Sequence, residues 1–167
     1  VKRNTSPLIR QDYVLWSSPV AAQQLLAFSP ATLTNRFYTY DSATDKYIPV
    51  FSPATTNFAL GTGYLIRVPN THPTTPTIWG GQFTGVPNNG TVNLTVANAT
   101  YNAIGNPYPS TINADDFIAA NGITEALYFW RKTNNSNNSS YATYTTAGGV
   151  SNSGGDTLGL TPSGTIA

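Results

Sequence analysis

Few side chains in this sequence can move a proton or hold a metal. Asp115 and Asp116 are adjacent carboxylates, His72 is the single histidine, and Glu125 is the only glutamate among seven acidic residues. Paired carboxylates serve general acid and base chemistry when they converge on one substrate atom. On a helix, neighbouring residues point about 100° apart, so Asp115 and Asp116 do not converge. They sit where acidic groups stabilise a helix start, after a capping Asn113. No spacing among the remaining carboxylates singles out a glycosidase pair. His72 lies in Thr71-His72-Pro73 with no cysteine anywhere in the chain, so it has neither a nucleophile nor a metal partner and reads as a solvated loop residue. Catalytic residues are therefore assigned as none, and the expectation is that the chain is not an enzyme.

Metal and phosphate sites are no better supplied. Calcium takes six to eight oxygens and usually several carboxylates. Asp41-Ser42-Ala43-Thr44-Asp45 and Asp156 after Gly154-Gly155 are oxygen-rich turns, but two carboxylates in five residues describe an Asx turn first and a calcium site only weakly. No metal ligands are assigned, and no cofactor beyond that weak calcium reading. Gly61-Thr62-Gly63 lacks the Gly-Lys-Ser/Thr of a phosphate loop and reads as a bulge feeding Tyr64.

Binding is better served than catalysis, because the chain holds three Trp, ten Tyr and seven Phe. Trp79, beside Gly80-Gly81, and Tyr108, fixed between Pro107 and Pro109, are the expected exposed rings for stacking against a ligand. Trp16 and Trp130, inside apolar strands, are expected in the core.

Period-2 alternation dominates the elements that must position these groups. Tyr13-Val14-Leu15-Trp16 is one strand. Arg36 to Tyr40 and Tyr47 to Val50 form a hairpin across a polar turn, and Gly63 to Val68 is the next strand. Residues 77–84 lead through Pro87-Asn88-Asn89-Gly90 to 91–96, which predicts a second hairpin, since Asn-Gly favours such turns. Strands at 126–131 and 141–145 follow. Helix is expected only over residues 21–28 and 113–121. At least eight short strands in 167 residues argue for an all-β, antiparallel β-sandwich of jelly-roll type with one or two short helices, built as a single domain over 1–167.

Composition narrows the setting. Charged residues are 9% of the chain against an average near ~25%, while Thr, Asn and Ser supply about a third. Such a surface is solvated by hydroxyls and amides, as in exported β-domains. Eight basic residues spread along the length are too thin for a phosphate-tracking stripe, so nucleic acid is not an expected partner. No apolar run approaches the ~20 residues of a membrane helix, so membrane insertion is not expected.

Four segments carry a family resemblance: Trp16-Ser17-Ser18-Pro19-Val20, Gly61-Thr62-Gly63-Tyr64, Pro87-Asn88-Asn89-Gly90 and Gly105-Asn106-Pro107-Tyr108-Pro109-Ser110. In this order they resemble a domain found near the C-terminal ends of very large exported cell-surface, adhesin-like proteins of flavobacteria and other Bacteroidetes that use the type nine secretion system. The resemblance implies an extracellular or outer-surface location and a fragment of a much larger parent. It also implies O-glycan acceptors at Ser42 and Thr157, because Asp41-Ser42-Ala43 and Asp156-Thr157-Leu158 look like the Bacteroidetes O-glycosylation signal. Leu158-Gly159-Leu160 and Thr165-Ile166-Ala167 look like the approach to a further strand. An open edge near the C-terminus is therefore expected, filled by another segment of the parent or by another chain through strand addition.

Two functions compete. One is a non-catalytic structural or adhesive domain of a secreted or cell-surface protein. The other is a carbohydrate-binding module using exposed aromatics, with glycans as partners. Coplanar exposed rings on a sheet face favour the sugar; buried aromatics favour assembly.

Overall fold

The computed structural model describes residues 1–131, 140–150, 162 and 164–167. Its strands are antiparallel and its helices two and short, the all-β sandwich expected from the alternation. The chain packs as two compact units, Val1–Pro109 and Ser110–Ala167.

The first unit holds β1 (Lys2–Leu8), β2 (Tyr13–Trp16), α1 (Leu25–Phe28), β3 (Phe37–Asp41), β4 (Lys46–Pro49), β5 (Tyr64–Arg67) and β6 (Thr77–Gln82). One sheet has the order β2-β5-β3-β4 and the other pairs β1 with β6. The expected β3–β4 hairpin forms, with Tyr40 opposite Tyr47 and Asp41 opposite Lys46. The core lies between the sheets. The Trp16 ring meets Trp79 of β6 at 5.1 Å, Phe28 of α1 at 5.1 Å and Phe83 at 5.9 Å, and Phe28 stacks on Phe83 at 4.5 Å. Buried aromatics of this kind cover ~150–250 Å² each and gain roughly 0.5–1.5 kcal/mol per ring pair beyond their area.

This core corrects the expectation for Trp79, which is 8% exposed and not a surface ring. Trp79 and Gly81 share the inward face of β6 by alternation. A side chain at Gly81 would come within 2.7 Å of Trp16 Cη2. The glycine beside Trp79 therefore makes room for the facing sheet's tryptophan; it does not open Trp79 to solvent.

The hairpin expected between residues 77–84 and 91–96 does not form. β6 pairs instead with β1, from Lys2 opposite Gln82 to Leu8 opposite Thr77, with a register shift between Asn4 and Pro7. Pro7 lacks the N–H that a regular ladder would use there, and Trp79 N–H donates to Thr5 Oγ1 at 3.0 Å. A distant strand thus takes the edge that a local turn would have filled, and residues 91–96 lie outside any strand. His72 is corrected as well. It is 7% exposed, with Nε2 hydrogen-bonded to the Leu8 carbonyl at 3.0 Å, while Arg10 Nε donates to its carbonyl. The helix expected over 21–28 shrinks to α1, because Val20 bridges Pro87, Gln24 bridges Asn57, and Ala22 has φ +55°.

The four segments that carry the resemblance meet at one place. Gly105 N–H donates to the Gly61 carbonyl at 2.9 Å and Gly63 N–H to the Ala103 carbonyl at 3.0 Å. Asn88 N–H donates to the Pro19 carbonyl, and its side-chain Nδ2 donates to the carbonyls of Ser18 and Pro107. A Cβ at Gly105 would stand 2.1 Å from Ser17 Cβ. Gly61, at φ +68°, supplies a turn that leads into β5, where the sequence reading expects a bulge.

The second unit holds β7 (Ile112–Asn113), α2 (Ala114–Ala120), β8 (Leu127–Arg131), β9 (Ser140–Thr145), β10 (Gly148–Val150) and β11 (Thr165–Ile166). Asn113 Oδ1 accepts from the N–H groups of Asp115 and Asp116 at 2.9 and 3.1 Å, the expected cap. α2 packs Ala114 and Ile118 against Tyr144, with Leu127, Phe129 and Ile166 around them. Trp130 departs from its core assignment. It is half-buried and lies on the face of β8 opposite Phe129. The expected open approach at the C-terminus is also corrected in part, since Thr165 and Ile166 pair with Asn113 and Ile112 of β7. Leu158-Gly159-Leu160 lies outside the described residues.

Trp79→Ala is expected to cost about 3–5 kcal/mol by emptying the inter-sheet core, read as a fall in the urea midpoint. Gly105→Ala should cost roughly 1–3 kcal/mol by overpacking against Ser17. A change within ~0.5 kcal/mol for Trp79→Ala, the range of surface positions, would contradict this packing.

Candidate functional site

Alternation in the four-stranded sheet decides what faces away from the core. Trp16, Tyr64, Ile66 and Phe37 are buried inward, so their chain neighbours Leu15, Leu65, Arg67, Arg36 and Tyr38 face outward. The register aligns them in rows. Leu15 opposes Leu65, Leu65 opposes Tyr38, and Tyr38 opposes Pro49. Tyr13 opposes Arg67 in the next row, and Tyr40 opposes Tyr47 in another. The outer face therefore gathers four half-buried tyrosines: Tyr13, Tyr38, Tyr40 and Tyr47. Their rings meet edge to face, Tyr13 with Tyr38 at 6.0 Å and 63°, Tyr40 with Tyr47 at 5.3 Å and 66°. They form two angled notches, not one flat platform.

Two guanidiniums border these rings. Arg36 Nη1 donates to Tyr38 OH at 3.4 Å, and Arg67 Nη2 donates to Asn70 Oδ1 at 3.1 Å. Burial, then the neighbouring Tyr38, pushes the Tyr13 phenol up, and the charges of Arg36 and Arg67 pull it back. At the far end, Tyr40 OH donates to Asp45, and Asp41 accepts from Ala43 N–H at 3.1 Å and Thr44 Oγ1 at 2.6 Å. Those two donors, Thr44 first, hold the Asp41 carboxyl below the usual aspartate range. The Asp41 carboxylate is satisfied by its own turn, the Asx arrangement set against calcium. Among the described residues, no group of three His, Cys, Asp or Glu side chains is placed to hold a metal.

The residues singled out from the sequence do not assemble into one site. Trp79 is buried. Tyr108 is half-buried, with its hydroxyl donating to the Gly90 carbonyl at 2.7 Å and its N–H to Asn106 Oδ1, so it ties the proline corner to the Asn-Gly turn. Ser42, expected to be surface-accessible, is half-buried, and its hydroxyl donates to Asn102 Oδ1 at 3.1 Å. The adjoining loop folds back over the turn and engages it. Thr157 lies outside the described residues. Asp115 lies in the first turn of α2 and accepts from Tyr144 OH at 3.0 Å, which raises the Tyr144 phenol.

Sequence reasoning missed Tyr13, Tyr38, Tyr40 and Tyr47 as a set, together with Arg36 and Arg67. Tyr38 and Tyr40 stand two apart beside an inward Phe37, which signals one shared outer face, but the strand order that adds Tyr13 and Tyr47 is tertiary. In the second unit, Tyr128, Trp130 and Tyr141 share the outer face of β8 and β9; Tyr128 is 45% and Tyr141 38% exposed. A cavity of about 190 Å³ beside Ser18, Phe58, Leu60 and Asn88 is smaller than the ~300–1,000 Å³ of small-molecule sites.

A family described as a domain of unknown function (DUF8693) matches residues 1–166. No curated protein and no solved structure matches the chain.

Thr44→Val is expected to raise the Asp41 pKa toward the ordinary aspartate value, read by carboxyl NMR titration. Because the folded value is depressed, the stabilisation from Asp41 is present above the ordinary aspartate pKa and is lost as pH falls through the depressed one. An unmoved titration would show that Thr44 does not hold this carboxylate.

Proposed function

The chain belongs to this DUF8693 family, and we propose that it is a non-catalytic structural or adhesive domain of an exported bacterial surface protein, docking through the outer face of the β2-β5-β3-β4 sheet. The observation that carries this reading is the outer face itself, where four tyrosines and two arginines line one side of a rigid sheet. Tyr and Arg dominate binding hot spots because they combine large contact area with directed polar groups. Three groups that could move protons support the same reading, since each holds a structural hydrogen bond. His72 bonds the Leu8 carbonyl, Asp12 Oδ2 accepts from Ile9 N–H at 2.9 Å, and Asp115 accepts from Tyr144 OH. The outer-surface setting rests on the low charge, the hydroxyl- and amide-rich composition and the four-segment resemblance. A chain of this kind docks to other segments of its parent or to another chain.

Glycan binding is the second reading, and one observation favours it. Tyr128, Trp130 and Tyr141 display aromatic surface on one face of the β8-β9-β10 sheet. The Trp130 and Tyr141 rings meet at 68°, however, which lacks the coplanarity of a sugar platform.

Beads coated with the chain and applied to surfaces carrying polyglutamate, a uronate polysaccharide or a neutral glucan test both readings. Adhesion is expected to fall roughly tenfold or more in a Tyr40→Ala/Tyr47→Ala double variant, given more than ~1 kcal/mol per hot-spot ring. Adhesion that follows Trp130→Ala on the glucan surface instead would support the glycan reading. Hydrolysis of any glycan or peptide in a broad screen, abolished by changing one Asp or Glu, would overturn the non-catalytic assignment.

A further inference from the structure

Arg36 and Arg67 form a like-charge cross-strand pair. Phe37 pairs with Ile66, and the Arg67 N–H donates to the Arg36 carbonyl at 3.1 Å, so Arg36, immediately before β3, stands opposite Arg67 at the end of β5. Alternation directs both side chains to the outer face, beside Tyr13 and Tyr38. Like charges placed opposite each other in a sheet are destabilising. Arg67 is only 8% exposed, which raises that cost. The Tyr38 hydrogen bond, with Tyr13 beside it, favours the charged form of Arg36, but the side-chain acceptors of both arginines are uncharged. Arg67 Nη2 meets the amide oxygen of Asn70 and Arg36 Nη1 meets the Tyr38 phenol, both neutral, and the Nε of each guanidinium is buried without a partner. In a chain with eight basic residues in 167, two of them share one row with Tyr13.

We propose that this row is a carboxylate site, occupied by an acidic side chain of a protein partner that seats between Arg36 and Arg67, with the Tyr13 and Tyr38 phenols beside it. The inference rests on the outer face being the docking surface and names the chemistry of what docks there. A carboxylate supplies two oxygens in the plane that guanidinium forks match, and it replaces neutral acceptors with charge-assisted ones. Two features select a protein side chain over an acidic sugar. More than nine-tenths of Arg67 is covered, so the carboxylate must arrive on a stem, as in glutamate, whereas a uronate holds its carboxylate directly on the ring. The flanking ring pairs, at 63° and 66°, also give a sugar no flat face to lie on.

Fluorescein-labelled octaglutamate, with octaglutamine and polygalacturonate as comparison probes, tests this by anisotropy on the whole chain. Octaglutamate is expected to bind, octaglutamine not, and the affinity to weaken with added salt. Arg36→Gln and Arg67→Gln should each reduce octaglutamate affinity roughly tenfold or more, as loss of one member of a buried charged pair does. Without peptide, Arg36→Gln should leave Tm unchanged or raise it, because it relieves repulsion; an arginine serving structure alone would lower Tm when removed. Equal binding of octaglutamine, an affinity indifferent to Arg36→Gln, a lowered Tm, or tighter binding of polygalacturonate would each overturn the inference. If octaglutamate fails to bind while Tyr40→Ala/Tyr47→Ala still abolishes bead adhesion, the carboxylate site falls and the docking face stands.

Discussion

The first unit depends on the close approach of Gly105 to Ser17, held by the side-chain amide of Asn88. With 2.1 Å between Ser17 Cβ and the place a Cβ would occupy at Gly105, only glycine allows the proline corner to lie against the end of β2. Asn88 then satisfies the carbonyls of Ser18 and Pro107 together, two acceptors that a turn of the chain would otherwise leave buried without donors. The same approach lets Gly105 N–H reach the Gly61 carbonyl, which ties the entry of β5. Because β5 is flanked by β2 and β3 in the sheet, that corner bears on the whole four-stranded register. The register in turn sets which tyrosines and arginines share a row. The segments most distinctive in sequence are thus structural, and the candidate binding residues are set by them from the far side of a strand.

A second constraint is the aromatic core. Trp16, Phe28, Trp79 and Phe83 interlock across the two sheets, and Gly81 is the space that permits it. The outer face of the same sheet packs its own half-buried tyrosines edge to face. On that outer face the half-buried Arg36 stands opposite the buried Arg67, the like-charge pair whose cost, in the proposed site, a partner's carboxylate offsets.

The two units differ in how they solve the same problem. In the first, sheet packs on sheet through aromatic rings. In the second, a short capped helix covers one face of β8 and β9 with Ala114 and Ile118, leaving Tyr128, Trp130 and Tyr141 on the other. A strand buries alternate residues whichever partner it has, so both solutions leave aromatics outward where the sequence runs Tyr-Phe-Trp or Phe-Tyr-Thr-Tyr.

Local physics was legible in the sequence. The all-β class, the β3–β4 hairpin, the Asn113 cap and the core position of Trp16 each follow from alternation, turn chemistry or capping over a few residues. The partner of a strand is not local, and there the reading failed. β6 is expected to pair with residues 91–96 because Asn89-Gly90 favours a hairpin, yet it pairs with β1, roughly seventy to eighty positions away, through a register bent at Pro7. Trp79 looked exposed because glycine beside it reads as open space, when that space is filled from the opposite sheet by Trp16. His72 looked solvated because its acceptor, the Leu8 carbonyl, is equally remote in sequence. For the same reason the row of Tyr13, Arg67 and Arg36 is not legible locally: each residue lies in or beside an ordinary strand, and only the tertiary order β2-β5-β3 sets two positive charges side by side.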